Sequence, residues 1–440
     1  NQMPYYIIFI LQLSSTLGQS IETSNFLDQK RIASYDAGID WNHLSNFGME
    51  NLFIDYTDGK DNIFKYQIGF IGGENYSMFN GYVYFQKKNY FAFFNPGFSK
   101  DIANGNPRGM FSDHYRPPND FSGIGYKNDW ALLQICRGKE HWGAGNGIQL
   151  ALSKNSNSYD YLLLSSNYGN LRVKYIHGYL GQADDFINRF ITGRGIEYTN
   201  NKSLLIGFSE IVIYSGKNRQ FDLAYLNPIS SHVELELNDR LNINGTNNAN
   251  AVWQIHTDLF FYDIFRLSAN YLIDEFVFDK EVDDDKKHRD AFSLRIAYTL
   301  TKLTKKLSTI YIQFVTVDSR TFRHFNGYNN FTHNHKPLGW REGSDGEETT
   351  FGLNYLYNSR FVFNISYGIL KVGEQSIIHR EYENVFLNNS QNFPSGKINY
   401  VNTLNSEFIL KLRNNLSMMI GLEINEDSKY KLNLGFNIHN

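Results

Sequence analysis

The chain is poor in the residues that lock or break folds. Its 440 residues include one cysteine, Cys136, so no internal disulfide can form, and no Cys/His cluster has the spacing of a metal site. Only 8 prolines occur, and they mark no linker between domains. Neither sign of charge dominates: 42 Lys and Arg stand against 45 Asp and Glu, a net charge of −3, so nothing draws nucleic acid. Beyond the N-terminus no apolar run reaches the roughly 20 residues a membrane helix needs. Enzyme motifs are equally scarce, with no Gly-rich phosphate loop and its Lys, no His-Glu-x-x-His and no Gly-x-Ser-x-Gly elbow.

What the chain does have is aromatic residues, 35 Phe and 30 Tyr, with a mean hydropathy of −0.43. Such a chain is rich in strand formers yet polar on average. A membrane β-barrel combines both properties, because its strands need only every second residue to be apolar.

The periodicity agrees. In 430–438, Leu432, Leu434, Phe436 and Ile438 share one face, while Lys431, Asn433, Gly435 and Asn437 share the other. Met418, Ile420, Leu422 and Ile424 do the same against Ser417, Gly421, Glu423 and Asn425, with Met419 the one apolar intruder. Leu404, Phe408, Leu410 and Leu412 oppose Glu407, Lys411 and Arg413. Alternation recurs at Phe361–Phe363–Ile365–Tyr367–Ile369 and at Phe292–Leu294–Ile296–Tyr298–Leu300. Less regular candidates are 48–57, 62–72, 76–94, 127–136, 146–153, 159–166, 170–179, 189–199, 203–215, 252–261, 264–278, 306–317 and 348–357, and 76–94 counts as one strand or two, for about 18 or 19 in all. Closed bacterial barrels favour even numbers, and the expectation is an all-β, transmembrane, antiparallel up-and-down barrel of about 18 strands.

Connection lengths sharpen this. Read backwards from a periplasmic C-terminus, 413–416, 358–360, 301–306 and 261–264 are short, while 372–403, 318–347, 279–289 and 216–251 are longer. Short periplasmic turns alternating with long external loops are a barrel property. Residues 1–20, with the apolar stretch Tyr5 to Leu13 followed by Ser14 to Ser20, read as a secretory signal; a buried first strand is the alternative, since no Lys or Arg precedes the stretch. Residues 21–47 read as a periplasmic lead-in and 48–440 as the barrel, in the bacterial outer membrane. The acidic stretch Asp279 to Asp290 reads as a solvated loop tip, without a Ca-loop pattern.

Few residues invite chemistry. Glu347 and Glu348 are adjacent and point to opposite faces of a strand, so they cannot flank one bond. His177 or His256 could serve a rim lipase, but a lone strand His is more simply a lumen or interface residue. No catalytic residue, cofactor or metal is expected. The run from Arg137 to Ser153 stands apart, with four glycines in ten residues around Trp142. It implies a tight backbone path on which an aromatic ring packs, and Arg137, Lys139 and His141 could equally meet an anionic sugar.

Here the residues resemble a known family. Gly138, Trp142-Gly143, Gly145 and Leu150 to Ser153 resemble the Gly-Arg, Trp-Gly-x-Gly, Leu-Leu-Ser signature of Wzi-type capsule-assembly proteins. Phe208-Ser209-Glu210 with Tyr225-Leu226-Asn227-Pro228 resembles that family's Ser-Glu and Leu-Asn-Pro element, and Pro337-Leu338-Gly339-Trp340 with Gly343-Ser344-Asp345 resembles its late Leu-Gly, Gly-x-Asp loop. The resemblance implies an 18-stranded outer-membrane barrel acting as a surface lectin for capsular or extracellular polysaccharide. Arg137-Gly138 and Lys154-Asn155-Ser156 depart from the family's Gly-Arg and Asn-Ala-Pro.

Long loops supply candidate glycan contacts: Arg320, Arg323, His324, Tyr328, Trp340 and Arg341, with Tyr115 and Arg116 in another loop. Aromatic rings stack on sugar C–H faces and Arg forks pair with uronate carboxylates. The same residues would equally pack a rim closed. The expected protein is non-enzymatic and monomeric, its partners an acidic polysaccharide and the outer-membrane lipid with its lipopolysaccharide. The alternative is a porin or transport channel for sugars or small solutes, whose polar strand faces would line a water channel.

Overall fold

The structure, a computed structural model, describes residues 62–72, 76–95, 97–101, 121–183, 186–238, 249–274, 290–324, 327–358, 360–378, 392–413, 416–425 and 430–439. The expected signal, the lead-in, the candidate strand 48–57, the acidic loop tip, Tyr115 and Arg116 lie outside them. No helix among the described residues is long and apolar enough to cross a membrane.

Nineteen strand segments form one sheet, and the first of them, β1 (Asn62–Gly72), pairs with the last, β21 (Tyr430–His439), so the sheet closes. β3 (Tyr90–Asn95) and β4 (Gly97–Asp101) both pair with β2 (Tyr76–Lys87) as halves of one crossing. The sheet therefore makes 18 crossings, antiparallel throughout, as expected. They continue through β5 (Phe121–Lys127), β6 (Ala131–Gly138), β7 (Tyr159–Tyr168), β8 (Leu171–Ala183), β9 (Ile187–Thr199) and β10 (Leu204–Lys217). Then come β11 (Ala249–Phe261), β12 (Phe265–Ile273), β13 (Asp290–Thr299) and β14 (Leu307–Val317), followed after a loop by β17 (Gly346–Asn358), β18 (Phe361–Val372), β19 (Asn399–Arg413) and β20 (Leu416–Asn425). Within that loop β15 (Thr332–His333) and β16 (Lys336–Pro337) form a separate ladder.

Burial alternates along β6, β7, β12 and β13, but with inverted chemistry. In β6, Gln134 and Cys136 are buried whereas Leu133 and Ile135 are 45% and 63% exposed. In β13, Ser293 and Arg295 are buried and Phe292, Leu294 and Ile296 lie on the opposite, outer face. Apolar residues outside and polar ones inside suit lipid around the barrel, not water, and closure leaves no unpaired edge for lipid to meet.

Two sequence expectations change, and one open choice is settled. Residues 146–153 are not a wall strand: Gly143, Gly145 and Gly147 have φ of 127°, 77° and 77°, and the chain keeps only the bridge Trp142↔Leu152. The run 76–94 is a hairpin, β2 and β3, turned at Lys88 with φ 53°. Strand 127–136 starts later, at Ala131, and a further strand, β5, precedes it. The alternating loop lengths hold. Connections 169–170, 200–203, 262–264 and 300–306 meet one rim, while 139–158, 218–248, 274–289, 318–345 and 373–398 meet the other. On that second rim the β8–β9 connection, 184–186, is short.

Candidate functional site

The glycine-rich loop 139–158 turns into the lumen instead of away from the rim. Trp142 is fully buried, and a Cβ at Gly193 would collide with its ring, so β9 carries glycine where the indole lies on the wall. The indole Nε1 donates to Glu140 (3.0 Å), as does the Tyr161 hydroxyl (2.8 Å), and Lys174 of β8 completes the site at 2.7 Å. This buried carboxylate thus has a cation and two further donors, the condition for tolerating its desolvation.

The loop then crosses to the far strands. Asn270 of β12 accepts from the Ala144 amide (2.6 Å) and donates to Ala144 and Ile148 carbonyls, while Ser293 of β13 donates to Ile148 (2.7 Å). A Cβ at Gly143 would strike Asn270 and Gln254. Gly138 ends β6 against Phe121 and Tyr161.

Loop 318–345 meets it there. The Ser153 amide donates to Leu338 (2.7 Å), the Trp340 amide to Leu150 (3.0 Å), and the Ser153 hydroxyl to the Gly339 carbonyl. A Cβ at Gly339 would overlap the Leu150 carbonyl. Asp345, fully buried, accepts from Ser319 (2.6 Å), the Gln375 amide (2.8 Å) and the Ser395 amide (2.9 Å), tying this loop to 373–398. Leu150, Leu152, Phe322, Phe331, Leu338 and Trp340 join wall residues such as Ile176, Ile211, Val252, Val315 and Leu370 in one core inside the barrel.

The Ser-Glu and Leu-Asn-Pro element lies elsewhere, on the outer face of the wall. Glu210 of β10 points the same way as the exposed Ile206 and Phe208, opposite to the lumen-facing Ile211. It pairs with Arg194 of β9 (3.4 Å) and accepts from the His232 amide (2.9 Å) and Trp253 Nε1 (3.0 Å). His232 opens the short helix His232–Leu237, joined to Leu223–Leu226 by Asn227-Pro228. Asn227 is exposed and turns the chain by accepting from the Ile229 amide (3.1 Å). The segment caps a small cluster of Phe190, Val212, Tyr214, Tyr225, Leu235 and Ala251.

The candidate glycan residues separate. Arg320, His324, Tyr328 and Arg341 are half-buried at the loop rim. Arg323 and Trp340 are buried: Arg323 donates to the Ser319 and Gln375 carbonyls, and Trp340 Nε1 to Glu348 (3.3 Å), so both hold loops together. Arg341 reaches Glu342 (3.0 Å) and Glu348 (2.9 Å). His256 faces the lumen beside Glu197 (2.9 Å), whereas His177 lies outside under the 218–238 segment. Sequence reasoning passed over Arg189, which donates to the Tyr328, Asn330 (2.8 Å) and Thr332 (3.0 Å) carbonyls and fixes loop 318–345 to β9. It also passed over Glu140, Lys174 and Asn270. An Arg or Lys on the polar face of a strand was the available signal, but nothing local told a lumen pair from a solvated one.

No protein-family model and no curated protein matches the chain. Among solved structures it resembles Wzi of Escherichia coli, an outer-membrane protein involved in group 1 capsule assembly and described as a carbohydrate-binding β-barrel. The TM-score is 0.62 at 11% identity, over 86% of this chain and 84% of that one. It also resembles OprD of Pseudomonas aeruginosa, with a TM-score of 0.43 at 9% identity over 86% and 94% of the two chains. At such identity the first likeness speaks for the fold alone and the second carries no argument. Closed sheet, lipid-facing apolar surface and shared architecture together make this chain an outer-membrane β-barrel.

Proposed function

We propose that the protein is a non-enzymatic, monomeric barrel that binds and retains capsular or extracellular polysaccharide at the cell surface. The observation that carries this reading is the packed lumen. Two loops fold in from the rim, and Trp142, Leu150, Leu338 and Trp340 join wall residues from opposite strands in one buried core. A barrel filled in this way suits adhesion better than conduction.

The packed loops also offer a prepared surface. Loop 318–345 is held by Arg189, Asp345 and Ser153, so little ordering entropy remains to be lost on binding. From it Arg320 presents a guanidinium to uronate carboxylates, Tyr328 and His324 present rings to sugar faces, and Arg341, held by Glu342 and Glu348, keeps the loop in place. Several shallow contacts along one polymer multiply through effective concentration. The fold likeness to a carbohydrate-binding barrel points the same way.

Deleting the gene and measuring polysaccharide in cell-bound and released fractions tests the reading. Loss of the bound fraction with the released fraction kept is expected, and unchanged retention removes the reading. Steady single-channel conductance of the purified barrel would restore the transport alternative.

A further inference from the structure

Arg194 and Glu210 stand on the outer face of the wall, where an outer-membrane barrel meets lipid. Strand register gives the rung they stand on. Arg194 pairs with Tyr175, Tyr175 with Leu164, and Leu164 with Leu133. One rung nearer the rim, Thr192 pairs with His177, His177 with Leu162, and Leu162 with Ile135. Leu133 and Ile135 are exposed on the apolar belt. The outer face of β6 and β7 turns polar only at the following rung, at the Arg137–Asp160 pair.

The other end of the belt agrees. Tyr198, exposed near the turn end of β9, lies four residues from Arg194, about 13 Å along a strand, whereas an apolar belt is about 25 Å tall. An uncovered Arg near the middle of the belt is strongly disfavoured. Arg194 is not uncovered. His232 and the rest of 221–237 lie over it, with the Tyr225 ring 4.5 Å from Tyr214 and Leu235 buried beneath.

The side of this segment turned away from the wall is mostly apolar, with Asn227 and Glu236 the polar residues exposed on it. Leu223 and Ile229 are 71% and 88% exposed, and Phe221, Leu226 and Leu237 are exposed with them. Five such residues on a short segment would be a liability in water. They continue the surface of Ile196, Ile206, Phe208 and Ile255, which are exposed on the rungs next to the covered ones.

We propose that residues 221–237 form a lipid-facing shield lying against the wall in the outer half of the bilayer. Phe221, Leu223, Leu226, Ile229 and Leu237 contact lipid acyl chains there. The segment replaces a stretch of wall, so that a polar rung, Arg194–Glu210 with its His232 and Trp253 donors, is kept out of hydrocarbon. The occupant is lipid because the exposed side chains continue the barrel's own belt. The inference rests on the barrel fold and not on the polysaccharide reading.

Nitroxide labels on Leu223→Cys and Ile229→Cys, in barrels reconstituted into phospholipid vesicles, test this. Cys136 is buried and replaced by Ala in the background. Ile135→Cys supplies the lipid reference and Tyr262→Cys, in an exposed turn, the water reference. At 223 and 229, collisions with oxygen should exceed those with a water-soluble nickel chelate several-fold, matching 135 and not 262. Nickel access equal to that at 262 overturns the proposal. Dipolar broadening that vanishes on dilution with unlabelled protein also overturns it, by giving the face to a second copy. Heat-dependent gel mobility confirms that each labelled barrel is folded, and Leu237→Cys provides a third site.

Discussion

Two loops of this barrel fold back onto its wall, one inside and one outside, and each covers a buried ion pair. Inside, loop 139–158 brings Trp142 and Glu140 to Lys174, and its apolar side chains vanish into a core shared with Leu338 and Trp340. Outside, the 218–238 segment brings His232 to the Arg194–Glu210 pair but leaves Leu223 and Ile229 exposed. The same wall thus supports two sub-cores that differ in what lies beyond them. A loop in a filled lumen can hide all its apolar surface, while one on the outer wall keeps an apolar back wherever its neighbour is hydrocarbon.

Replacing 140–152 by a short Gly/Ser linker should break the comparison most completely. It removes Trp142, Leu150 and Leu152 together with the bonds to Asn270 and Trp340, and single-channel recording should then show steady conductance where the parent shows none. A linker variant that stays closed would mean that loop 139–158 does not seal the lumen. Next in size is Lys174→Met, which leaves the Glu140 carboxylate buried without its cation. Denaturant unfolding in detergent should show a loss of roughly 3–5 kcal/mol, with much of it regained in the Lys174→Met, Glu140→Gln double variant.

Arg194→Leu should cost less, about 1–3 kcal/mol, because Glu210 keeps the His232 amide and the Trp253 indole as donors. Hydrogen exchange should speed up in 221–237 and stay unchanged in 140–152. Equal acceleration in both would show that the two sub-cores unfold as one.

The smallest effect is one of pH. Burial, with Asp345 adding to it, pushes the Asp318 carboxyl up to about 7. Its stabilisation is complete below the ordinary 3.8 and is lost as pH rises through about 7. Between pH 7.5 and 5, exchange corrected for intrinsic rates should fall around 318–322. A rise there would refute the assignment.

The wall was legible in the sequence because its rule is local. Phe292, Leu294 and Ile296 alternate with Ser293 and Arg295 since one side meets lipid and the other the lumen. That rule also misled. Ile148, Leu150 and Leu152 alternate as a wall strand would, yet they are buried in the lumen, because a period of two tells which residues share a face and not what the face meets. The candidate site was legible only in part for the same reason. Arg323 and Trp340 look like glycan contacts until Gln375 and Glu348 are placed beside them.

The sequence by itself determined the strands, their near-even alternation of short turns and long loops, and which residues of each strand share a face, all of which follow from the spacing of neighbouring residues. Only the tertiary structure decided that the landmark around Trp142 lies inside the wall, joined to Gly339, while the landmark at Glu210 and Asn227 lies outside it. Those positions depend on contacts between residues far apart in the chain, such as Ala144 with Asn270 and Ser153 with Gly339, and no local period records such contacts.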